Sequence, residues 1–164
     1  MDYPTDTPNQ FLAISSVLTG FSVTELQAAG SAPPIWATIT DIVGVQILGD
    51  MLTACGELFT KSADIDALEK AFAKYVIGDP RFGPLAQNII RAWYTGVWTA
   101  LPSAWCDANG ASGNDGTFVI SPAVYMAGLQ WKAFGGTPRA GVPSGHGAWN
   151  KPPLFPINTN APKR

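Results

Sequence analysis

The apolar run from Ile35 to Phe59, "IWATITDIVGVQILGDMLTACGELF", constrains the fold of this chain more than any other stretch. Its apolar residues recur at helical spacing: Ile35, Ile39 and Ile42 fill one row, Trp36, Val43 and Ile47 the next, and Leu48, Met51, Leu52 and Cys55 continue them. A surface helix needs only one apolar stripe, so a segment with two adjacent rows has to be surrounded by other elements. The run therefore reads as the central buried helix, opened by Pro33 and Pro34, whose fixed φ suits a first helical turn. It is not a membrane span. Asp41, Gln46, Asp50 and Glu57 interrupt it, and an acid at a bilayer centre costs about 2.5–3.5 kcal/mol.

What surrounds it also reads as helical. Phe11, Ile14, Ser15 and Leu18 follow helical spacing up to Gly20, where a left-handed cap is expected. "SVTE" follows, a capping box in which Ser22 accepts from the backbone and Glu25 reaches back, and Gly30 closes that helix. Ser62 or Asp64 opens a further helix with a narrow Ile65, Leu68, Phe72, Val76 stripe. Pro84 opens the next, from Leu85 to Ala100. "SAWCDANGASGNDG" reads as loop by composition. "SPAVYMAGLQWKAFGG" has Ser121 as N-cap, Pro122 at the first position and Gly135-Gly136 as the stop, which predicts one helix to Phe134. Strand character is confined to "TFVIS". The chain is thus expected to be all-α: a single helical domain over residues 1–134, with a loop insertion at about 99–116, and an extended Gly/Pro-rich C-terminal arm over 135–164.

The segment "RAWYTGVW", Arg91 to Trp98, concentrates aromatic rings. On one continuous helix Trp93 and Val97 form one ridge, and Tyr94, Trp98 and Leu101 a second about 100° away. Each large ring buries about 150–250 Å², too much apolar area for all of them to stay wet. One ridge is expected on the central helix. The other, together with Trp149 and the arm, is either more core or a surface for another protein, since interfaces concentrate Trp and Tyr.

Charge and chemistry narrow the function classes. Charged residues make up 13% of the chain, about half the usual ~25%. Such a surface is either covered by a partner or a neutral surface rich in Ser, Thr, Asn and Gly. With a formal net charge of −2 and no basic cluster before the terminal Lys163-Arg164, the footprint of a nucleic-acid binder is missing. "MDYPTDTPNQ" shows neither the basic nor the apolar region of an export signal. His146, the one histidine, stands between glycines, and a Ser144/His146 nucleophile and base would lack a third group to orient the ring. No spacing such as HExxH or DxDxDG marks a metal site, and no GxGxxG or GxxxxGK follows a strand to cradle a nucleotide or flavin. Asp64/Asp66 and Asp107/Asp115 read as capping or solvated acids. No residue is singled out as catalytic, cofactor-binding or metal-ligating. Cys55 and Cys106 fit no CxxC pattern; they are either one disulfide, closing about fifty residues and contributing ~4 kcal/mol, or two free thiols.

Four segments in order, "FLAISSVLTGFSVTEL", "NIIRAWYTGV", "VYMAGLQW" and "GHGAWNKPP", resemble the small (gamma) subunits of FAD-dependent sorbitol, fructose and glucose dehydrogenase complexes. The specific parts are Phe11-Leu12 with Leu18-Thr19-Gly20, Trp93-Tyr94 with Gly96, and Gly147 and Trp149 followed by Pro152-Pro153. The resemblance implies a helical, non-catalytic subunit without a cofactor of its own. Such subunits bind a large flavoprotein of the glucose-methanol-choline type, assist its folding and take it to the periplasm by the twin-arginine route; a cytochrome c subunit often completes the complex. Tyr94, Trp98, Trp149, Pro152, Pro153, Leu154 and Phe155 are then the expected partner-facing residues, and FAD belongs to the partner. Two features depart from the family pattern. The twin-arginine segment is absent from this sequence, and the cysteine that often precedes the closing Gly-x-Trp is replaced by "VPSGHGAW", with Cys106 in the 99–116 segment instead. The alternatives are an independent helical carbohydrate-binding module and a small hydrolase centred on His146.

Overall fold

Gly44 determines how the long apolar run folds. In the computed structural model, which describes residues 8–136, this glycine adopts φ 77°, ψ 167°, a region essentially closed to side-chain-bearing residues. The expected single helix is therefore two: α3 (Ala32–Val43) and α4 (Val45–Lys61), bent by 118° at the break. Both limbs bury the rows read from the sequence. Ile35, Ile39 and Ile42 on α3, and Ile47, Leu48, Met51 and Cys55 on α4, are all in the core. No single helix among the described residues is long and apolar enough to cross a membrane.

Before them come α1 (Asn9–Thr19) and α2 (Val23–Ala29), each ended by a left-handed glycine, Gly20 and Gly30, and α2 starts with the Ser22/Glu25 capping box. Asp64 caps α5 (Ile65–Phe72), its carboxylate accepting from the Ala67 amide at 2.8 Å, and the helix continues into a π-helical turn, Ala73–Ile77. Leu68, Phe72 and Val76 face the core as expected, whereas Ile65 in the first turn is exposed.

The central element is α6 (Gly83–Thr95), which packs against α1, α3, the π turn and, further along the chain, the first strand and the two last helices. It ends at Thr95, five residues short of the expected Ala100, because Gly96 turns left-handed at φ 71°. Val97–Trp98 then leaves as strand β1 and pairs antiparallel with β2 (Phe118–Val119), Val97 opposite Val119 and Trp98 opposite Phe118. Between the two strands, where composition reads as loop, Ser103–Asn109 forms α7, started after Pro102 and stopped by left-handed Gly110. Trp105 fixes it, with a buried ring and an indole N–H that donates to the Arg81 carbonyl at 2.8 Å.

The last expected helix also divides, into α8 (Pro122–Met126), capped by Ser121, and α9 (Leu129–Ala133). The break falls at Gly128, which lies so close to α6 that a Cβ there would sit 2.7 Å from the Tyr94 carbonyl oxygen. The described residues are thus predominantly all-α, with one two-stranded ribbon.

Candidate functional site

The end of α6 and its surroundings hold most of the aromatic rings. Trp93 is fully buried and stacks on Phe11 of α1 at 6.5 Å between centroids, while Phe11 meets Trp36 of α3 at 5.1 Å. Trp93 is thus core, stacked on α1, while Val97, expected on the same ridge, lies beyond the end of α6 on β1. Tyr94 is half-buried: its hydroxyl donates to the Thr19 carbonyl at 2.9 Å and its ring meets Phe21 edge-on.

Trp98 corrects the expectation of a second ridge. It lies beyond the end of α6 rather than on it, and its relative exposure is 0%, so its ring offers nothing to a partner on this fold. Its indole N–H donates to one carboxylate oxygen of Asp115 at 2.8 Å, and the Leu101 amide donates to the other at 2.8 Å. The Cys106 thiol reaches that same carboxylate at 3.4 Å. Asp115 is therefore not a solvated loop acid but the tether that holds β1, the 99–116 segment and α7 together. Nothing local in "SGNDG" signals this, because its partners lie up to seventeen residues away. Leu101, also expected on the ridge, is buried as well.

Both cysteines are free thiols. Cys55 is enclosed on α4, and burial pushes its ionisation up to about 12; Cys106 is half-buried on α7, raised by burial and by the Asp115 carboxylate. Of the two arrangements open from the sequence, the structure adopts the unbridged one, since Cys106 turns to Asp115 while Cys55 faces the core. Among the described residues no group of three or more His, Cys, Asp or Glu could hold a metal ion.

Glu25 links the two ends of the described chain. Besides its capping contacts with Ser22, it receives Lys132 of α9 at 2.5 Å. That lysine, then the Ser22 hydrogen bonds, hold its carboxyl down at about 2. Capping at Ser22 was legible in the sequence; the pairing with Lys132, 107 residues away, was not.

Three shallow clefts open among the described residues. An apolar groove of about 670 Å³ runs along α7, walled by Pro80, Arg81, Pro84, Pro102 and Trp105. A second lies at the corner between α3 and α4, beside the Arg81–Asp50 ion pair. A third, of about 530 Å³, is bounded by Trp36, Ala37, Thr40 and Asp41. In the third, the Thr40 hydroxyl donates to the Trp36 carbonyl at 2.8 Å. Large apolar side chains stand exposed at Val45, Tyr75, Val119 and, most of all, Phe134, which is 84% exposed two residues before the end of the described chain. The expected partner-facing residues Trp149, Pro152, Pro153, Leu154 and Phe155, and the Ser144/His146 pair, lie outside the described residues.

The chain matches no family model, no curated protein and no solved structure with which it was compared. Within the fold, three of the four segments quoted for the dehydrogenase small subunits come together around α6, the second packing on both the first and the third. "FLAISSVLTGFSVTEL" forms α1 and the first part of α2, "NIIRAWYTGV" the second half of α6 with Gly96, and "VYMAGLQW" spans α8 and the start of α9. Phe11 meets Trp93, Tyr94 meets Thr19, and a Cβ on Gly96 would lie 2.5 Å from Tyr125 Cα.

Proposed function

We propose that this chain is a non-catalytic small subunit that binds and stabilises a large FAD-dependent sugar or alcohol dehydrogenase and assists its folding and export to the periplasm. The observation that carries the reading is the meeting of those three segments. The residues most specific to the resemblance, Phe11, Thr19, Trp93, Tyr94 and Gly96, are engaged in packing α1, α6 and α8 together, which supports a structural role for them. A chain with half the usual share of charged residues and an exposed Phe134 just ahead of the arm supports the same reading. In this account the flavin belongs to the partner, Tyr94 with Trp149, Pro152, Pro153, Leu154 and Phe155 supply contacts to it, and a cytochrome c subunit completes the complex.

The test is purification of the tagged full chain from its own source under native conditions. The expected result is a larger polypeptide at equal stoichiometry that carries flavin and oxidises sugars or alcohols; recovery of the chain alone, or with a partner that lacks flavin, overturns the proposal. A second reading, an independent carbohydrate-binding module, draws on the cleft where the half-buried Trp36 indole lies beside Thr40 and Asp41. Retention on a sugar matrix without any partner, lost in Trp36→Ala, would favour it over the first.

A further inference from the structure

No further inference is drawn: the strongest candidate, the apolar groove along α7 between Pro80, Pro84, Pro102 and Trp105, is an unpartnered face, and nothing in the structure shows what covers it.

Discussion

Replacing Gly96 by alanine tests whether the α6–α8 contact is as tight as the backbone geometry requires. Two costs coincide at this position. The left-handed φ of 71° is disfavoured for an L-residue by about 1–2 kcal/mol, and the added Cβ would lie 2.5 Å from Tyr125 Cα and 2.6 Å from its amide nitrogen. Those neighbours are backbone, so α8 must move as a unit, and overpacking of this kind costs about 1–3 kcal/mol. Alanine also restricts the unfolded chain, which returns roughly 0.4–1 kcal/mol. The expected net loss is about 3 kcal/mol.

Two companion variants separate the costs. Gly20 has nearly the same φ, 76°, with nothing within 4 Å of its would-be Cβ, so Gly20→Ala should cost only about 1 kcal/mol. Gly128 has an ordinary φ of −52° but a Cβ position 2.7 Å from the Tyr94 carbonyl, so Gly128→Ala should cost about 1–3 kcal/mol through contact alone. Urea unfolding of the full chain followed by circular dichroism gives all three values, and 1 kcal/mol corresponds to roughly 3–4 °C in Tm for a domain of this size. If Gly96→Ala and Gly20→Ala lose the same stability, the close approach of α6 and α8 is not real and the packing argument fails.

Trp98→Ala should destabilise the isolated chain by about 3–5 kcal/mol, as loss of a large core ring does; an unchanged urea midpoint would return Trp98 to a partner surface. Acidification should loosen the hold of α9 on α2. The folded carboxyl of Glu25 ionises at about 2 against an ordinary 4.5, so its contribution is complete above 4.5 and is lost as pH falls toward 2. Amide exchange in Leu129–Ala133 should accelerate across that window in the native chain, and Glu25→Gln should show the faster exchange already at neutral pH. Alkylation at mildly alkaline pH should modify half-buried Cys106 well before Cys55, whose thiol is enclosed and ionises only at about 12; equal rates in the folded state would contradict the packing of α4. By the same linkage Cys55 lowers stability as pH rises from 9 toward 12, because the unfolded thiol ionises first.

The helical class and most helix starts were legible because they depend on local chemistry. Ser22, Asp64 and Ser121 cap through their own side chains, and Gly20 and Gly30 stop helices by adopting backbone angles that other residues avoid. What periodicity concealed were the breaks inside long apolar runs. Gly44 and Gly96 sit in sequences whose apolar spacing continues past them, and whether a glycine is tolerated within a helix or ends it depends on what packs beside it. At Gly128 that neighbour is the Tyr94 carbonyl, brought in from another helix. α7 was hidden for a related reason, since "SAWCDAN" has a weak helical pattern and forms its helix around one buried ring, Trp105, tied to Arg81. Of the expected partner surface, Tyr94 keeps some exposure while Trp98 loses it all, because the chain leaves the helix at Gly96 and the Trp98 indole N–H then meets Asp115, a long-range partner that no spacing rule reveals.

The central claim, that this chain stabilises a flavoprotein partner, is tested most directly by the melting temperature and soluble yield of that partner expressed alone, with the full chain, and with the chain truncated after Gly136. A partner that binds only the folded state of the flavoprotein raises its stability by mass action. The account predicts a mostly insoluble or less stable flavoprotein alone and a soluble one with the full chain. With the truncated chain it predicts assembly weakened by about 2 kcal/mol, the scale of a lost aromatic anchor. Equal yield and equal melting temperature in all three preparations would contradict it.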